Sequence, residues 1–166
     1  MINIVLYEPE IPQNTGNIMR TCVATGSKLH LIEPLGFKID DKTIKRCGVN
    51  YIDNCDYKIY PNFEEFLKQN KGTFYFFTRY GHKPHTEFEF KDKNIYLIFG
   101  KESTGIPKEI LKGYLDNCMR LPMTDKVRAL NLSNCVAIGV YEVLRQNNYF
   151  DLLQNEPFKG EDYLER

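Results

Sequence analysis

The sequence predicts an α/β domain built around a mostly parallel sheet. Three observations lead there. Short apolar runs alternate with helical patterns from one end of the chain to the other. Two of those runs, Phe74 to Thr78 and Ile95 to Phe99, are nearly continuous, as in strands buried on both faces. The longest helical pattern, Asn131 to about Asn147, is apolar around most of its circumference, as in a helix packed on more than one side.

The elements follow in order. Ile2 to Tyr7 reads as a strand closed by Pro9 and Pro12. Asn14 is positioned to cap a helix whose apolar residues Ile18, Met19, Cys22 and Val23 recur at helical spacing, with Gly26 to end it. Leu29 to Ile32 is a second strand. Gly36 to Tyr51 is polar and basic, with Lys38, Lys42, Lys45 and Arg46 set against Asp40 and Asp41, and reads as a loop with one short helix. Tyr57 to Tyr60 is a strand, and Asn62 caps a helix through Phe66 and Leu67. Pro107 opens a short helix through Ile110 and Leu111. Met119 to Met123 is a short extended segment before the long helix. Residues 1–155 form the domain, and residues 156–166, with Glu156, Glu161, Asp162 and Glu165, form an acidic, partly ordered tail.

Composition narrows the function. The chain has 166 residues, 42% hydrophobic and 27% charged, which suits one soluble globular domain. Its 22 basic residues balance 22 acidic ones, so any nucleic-acid contact must come from a local patch rather than net charge. No basic segment precedes a long apolar run, and no apolar stretch approaches the ~20 residues that span a bilayer, so an intracellular, cytoplasmic protein with no membrane partner is expected. The five cysteines, Cys22, Cys47, Cys55, Cys118 and Cys135, form no C-x-x-C pair, and Cys22 and Cys135 read as small buried hydrophobes. His82 and His85 lack an evident further ligand, so no metal site is expected. Phe74, Tyr75, Phe76 and Phe77 read as a buried strand rather than a base-stacking surface.

Ligands of open parallel sheets sit beyond the carboxyl ends of the strands, and three segments with unusual composition fall there. The first, Asn14 to Arg20, begins a helix whose amides attract anions, with Arg20 within a turn or two; an ordinary cap with a surface arginine has the same spacing. The second, Ile98 to Pro107, places Gly100 and Gly105 around a polar loop after a buried strand. It is neither a Walker A loop nor a G-x-G-x-x-G turn. The third, Arg120 to Asn134, is a basic loop leading into the longest helix, whose broad apolar surface suits packing on its own sheet and on a second copy of the chain.

Taken in order and spacing, these segments resemble the three motifs of the SPOUT methyltransferases. The stretches NIVLYEPEIPQNTGNIMR and RLPMTDKVRALNLSNCVAIGVYE resemble the subfamily that methylates the ribose 2′-hydroxyl at the tRNA wobble position. The resemblance runs from Ile2 to about Tyr149. It implies a carboxy-terminal trefoil knot, S-adenosylmethionine as methyl donor with S-adenosylhomocysteine as product, tRNA as substrate, and a homodimer with shared active sites. Position by position it implies cofactor contacts at Phe77, Thr78, Gly100, Lys101, Leu121, Ala129, Leu130 and Ser133, many through the backbone. Where this chain has Ala129, the subfamily often has serine, which removes a side-chain hydrogen bond there.

The resemblance further implies Arg128 as the catalytic arginine and Tyr141 as a tyrosine tied to catalysis. Asn14, Arg20 and Glu102 are implied to position RNA or support the site, and Asn131 and Ser133 to shape the knot loop. A guanidinium, with five N–H donors and no acceptor, suits Arg128 to clamping phosphate and stabilising the developing oxyanion better than to accepting a proton. A composite patch including Lys38, Lys45, Arg46, Lys126 and Arg128 would hold tRNA. Two other readings remain open: methylation of another ribose in tRNA or ribosomal RNA, and a knotted RNA-binding protein without transferase activity.

Overall fold

The computed structural model describes residues 1–40 and 42–166, and the side chains of these apart from 47–51. The readings of Asp41 as a loop charge and of Cys47 as a thiol lie outside the described residues. The strands are β1 (Ile2–Tyr7), β2 (Lys28–Ile32), β3 (Tyr57–Tyr60), β4 (Thr73–Phe77), β5 (Lys83–Pro84), β6 (Ile95–Phe99) and β7 (Cys118–Arg120). They form one parallel sheet in the order β3-β2-β1-β6-β4-β7-β5. The helices are α1 (Pro12–Thr25), α2 (Lys42–Gly48), α3 (Phe63–Gln69), α4 (Lys108–Leu111) and α5 (Leu132–Gln146).

Strand alternation divides the core in two. Ile4, Leu6, Leu29, Leu31, Tyr75, Phe77, Leu97 and Phe99 share one cluster with Ile18, Met19 and Cys22 of α1 and Val136, Val140, Val143 and Leu144 of α5. Val5, Ile32, Phe76, Tyr96 and Ile98 belong to the other, with Phe66 of α3 and Leu111 of α4. The sheet is therefore covered on both faces, as the continuous apolar runs require.

Several boundaries differ from the sequence reading. Helix α1 starts at Pro12 with Ile11 at the N-cap position and no capping side chain there, so Asn14 lies inside the first turn and is buried. The proline fixes the first helical residue, three positions earlier than an Asn14 cap would put it. Pro107 occupies the N-cap of α4 rather than its first helical position. Strand β7 stops at Arg120, leaving 121–123 outside the sheet. Cys22 is buried as expected, whereas Cys135 is only partly so.

Strand β5 is too short to leave a periodicity in the sequence, yet it discloses an uncommon path. Phe77 of β4 and Lys83 of β5 both pair with Met119 from opposite sides of β7. Residues 78–82 therefore cross β7. Gly81 lies at the crossing, where a Cβ would stand 2.5 Å from the Met119 carbonyl carbon. Beyond α5 the chain makes turns, and every residue from Leu153 to Arg166 is exposed. No helix among the described residues is long and apolar enough to cross a membrane.

Candidate active site

Strands β1 and β6 are neighbours, and the chain leaves β1 toward β2 on one side but leaves β6 toward β7 on the other. Such a reversal opens a crevice at the carboxyl ends of the strands. Two loops meet there, Glu8–Ile11 after β1 and Gly100–Pro107 after β6. The second closes on itself: the Gly105 amide donates to the Lys101 carbonyl at 2.9 Å, with Gly105 at φ +72°. A Cβ on Gly100 would overlap the Gly105 backbone, so only glycine permits this closure.

Three carboxylates fasten the loops together. Glu8 accepts from the Lys101 ammonium at 2.7 Å. Glu10 accepts from both the Ser103 amide and hydroxyl, at 3.0 and 2.6 Å, and the hydroxyl contact above all holds its carboxyl below the usual range. The Glu8 hydrogen bond raises the Lys101 pKa in turn. Glu102 accepts from the Glu10 amide at 2.8 Å, the Ile11 amide at 3.1 Å and Asn14 Nδ2 at 3.2 Å. A carboxylate from a distant loop thus serves the amino-terminal end of α1, which has no cap of its own.

The chain of hydrogen bonds continues. With its NH2 turned to Glu102, Asn14 presents Oδ1 to Nδ2 of Asn131 at 3.0 Å. Asn131 must then present its own Oδ1 the other way. That oxygen accepts from Ser133 N at 2.9 Å, Ser133 Oγ at 2.6 Å and Asn134 N at 3.4 Å, capping α5. Each amide's orientation is dictated by the acceptor-only carboxylate at the start. Residues from all three sequence segments, Asn14, Glu102, Asn131 and Ser133, are gathered in one connected unit.

The hydrogen bonds of this unit do not include the other expected residues. The Phe77 ring stacks on Phe99 at 4.6 Å, and its tip lies where a Cβ on Gly139 of α5 would stand, 2.8 Å from Cζ, so its side chain is core. Thr78 is half-buried and its amide donates to the Met119 carbonyl at 2.9 Å. Leu121 is buried, whereas Arg128, Ala129 and Leu130 form an exposed stretch before α5. Arg20 is exposed further along α1, and Tyr141 is 49% exposed on α5. No cluster of three or more metal-ligating side chains occurs among the described residues. Sequence reasoning missed Glu8, Glu10 and Ser103. Their pairings span 93 residues of chain, and no local spacing signals them.

The model of the SpoU rRNA Methylase family matches residues 1–141. A relative from Bacillus subtilis (strain 168) is 51% identical over 154 residues, covering 91% of this chain and 96% of its own. A tRNA (cytidine(34)-2′-O)-methyltransferase from Aeromonas hydrophila is 47% identical, covering 93% of this chain and 99% of its own. A solved structure described under "Structural insights into the 2-OH methylation of C/U34 on tRNA" superposes with a TM-score of 0.83 at 39% identity, covering 89% of this chain and 91% of that one.

Proposed function

The chain belongs to the SpoU rRNA methylase family, and from that premise we propose that it methylates the ribose 2′-hydroxyl of the wobble pyrimidine, cytidine or uridine, in tRNA anticodons. The observation that carries this reading is the connected unit Glu102–Asn14–Asn131–Ser133, which makes one site of the three segments. Near-complete coverage of the wobble-specific relatives supports the substrate.

The donor is S-adenosylmethionine, and its residues fit: apolar Leu121 and Leu130 suit an adenine, and the backbone of Thr78 and Gly100 to Glu102 supplies polar groups at adjoining strand ends. Bound there, the donor supplies an electrophilic methyl group. Ser133, Ala129, Lys101 and Phe77 complete that subsite, Phe77 through its backbone. Arg128 holds the phosphate beside the target ribose and stabilises charge developing on the 2′-oxygen. Arg20 positions the RNA, Tyr141 supports catalysis from α5, and Asn14 and Glu102 position the loops.

The protein works in the cytoplasm as a homodimer, joined along α5, where Ile138 and Tyr141 leave 41% and 49% of their surface exposed. A second subunit at this face completes each site and adds its basic residues to the tRNA surface, with Lys38, Lys45, Arg46 and Lys126 all exposed. The crossing of residues 78–82 over β7 supports the expected trefoil knot. Residues 156–166 form an acidic tail outside the catalytic domain.

The test uses purified protein, methyl-labelled donor and tRNA lacking the modification, followed by digestion to nucleosides and mass spectrometry. Label in a wobble 2′-O-methylpyrimidine is the expected result. Label at another nucleotide overturns the substrate, and absence of label with donor bound overturns the activity.

A further inference from the structure

The geometry points to Tyr80 as a stacking platform for an unpaired base of the RNA, a role that rests on the anticodon substrate proposed above. Tyr80 is 69% exposed, although large aromatic side chains are ordinarily kept for cores and interfaces. The backbone that carries it is tightly held. The Tyr80 amide donates to Thr78 Oγ1 at 3.3 Å, and the Gly81 amide closes the turn on the Thr78 carbonyl at 3.2 Å. Gly81 itself is buried against the Met119 and Arg120 backbone, where no side chain fits. The Arg120 guanidinium then ties the Arg79 carbonyl at 3.2 Å. An aromatic ring presented to solvent from a turn fastened at four points is preorganised for a partner, which lowers the ordering cost of binding.

The surroundings select the partner. Arg79 lies over the Tyr80 ring, 5.4 Å from its centroid. His82, Lys83 and Arg120 are close in sequence or strand register, and no acidic residue occurs between Thr78 and Thr86. Cations interleaved with an exposed aromatic suit a single-stranded polyanion with π-faces. The turn also begins at Thr78, at the carboxyl end of β4 and next to the strand that leads into Leu121 and Arg128. A base on Tyr80 would thus be held at the carboxyl end of the sheet, the end at which the proposed site lies. Of the four aromatic residues of β4, three are buried, and the half-buried Phe74 packs against Phe66, Tyr96 and Tyr114.

The experiment compares wild type, Tyr80→Ala and Tyr80→Phe by fluorescence anisotropy with a labelled anticodon stem–loop RNA. Calorimetry with S-adenosylmethionine and light scattering accompany it. Tyr80→Ala should weaken RNA binding about tenfold, while Tyr80→Phe retains it because the ring and not the hydroxyl stacks. Donor affinity and molecular mass should not change. Wild-type RNA affinity in Tyr80→Ala overturns the proposal. So does a Tyr80→Phe variant as weak as Tyr80→Ala, or a loss of donor binding or of mass. If RNA binding depends on Tyr80 but no methyl group reaches the wobble ribose, the stacking role stands and the methyl-transfer assignment falls. A wild-type protein that does not bind the stem–loop overturns both.

Discussion

Arg128 sits in an exposed turn, so its substitution removes a positive charge at little structural cost. Replacing it with Ala should lower kcat by about 10²–10³, the usual loss for a group that stabilises developing negative charge, with Tm unchanged. Single-turnover kinetics beside thermal denaturation checks this. His30 makes the opposite case, a residue outside the site whose protonation governs stability. It is buried; its Nε2 faces Asn3 Oδ1 and its Nδ1 faces the Tyr60 hydroxyl, each at 2.9 Å. Asn3 directs its NH2 to the Ile95 carbonyl, so Nε2 carries the proton and Nδ1 accepts from Tyr60. Burial, followed by the nearby Lys28 charge, lowers the His30 pKa from 6.5 to about 4. The unfolded chain therefore binds the proton first as pH falls. Stability is full above pH ~6.5 and is lost progressively toward pH ~4, by about 3 kcal/mol in all. Denaturant titrations across that range should show the slope in wild type and its loss in His30→Gln.

At the scale of elements, α1 depends on a loop 88 residues away, through Asn14 and Glu102. Glu102→Ala would remove the acceptor for two backbone amides and for Asn14, and release Asn14 and Asn131 from their fixed orientations. The expected loss is about 2–3 kcal/mol, or roughly 5–10 °C in Tm, with donor affinity falling in parallel. Differential scanning calorimetry and donor titration measure both. The positions of α1, α3 and α5 were legible because apolar spacing and caps acted locally: Asn62 accepts from the Glu65 amide at 2.9 Å, and Asn131 caps α5. Asn14 lies inside the first turn of α1 and joins Glu102 to Asn131, instead of capping the helix as expected. A proline at the first helical position and a carboxylate from another loop do that work, and only the second lies beyond local sequence.

For the whole molecule, the exposed apolar residues of α5 are the face proposed for a second subunit. Light scattering should give a dimer, and Ile138→Asp should give a monomer of about half the mass that has lost methyl transfer, because one charge desolvated in an interface core disrupts it. Retention of the dimer would place the interface elsewhere. The near-neutral charge of the chain suits such an assembly, in which the RNA surface is gathered from two copies rather than spread over one.

The α/β class, the burial of β4 and β6, the helix spacing and the three segments proposed to carry the chemistry were all legible in the residues alone. Those follow from periodicity and turn chemistry within a few residues. Only the tertiary structure decided the strand order, the crossing of residues 78–82 over β7, the fastening of Glu8, Glu10 and Glu102 to their partners, and the exposure of Tyr80. Each joins groups far apart in the chain, or depends on what packs against a side chain. Local propensity carries no record of either, because the energies that fix them appear only when the strands have paired and the helices have docked.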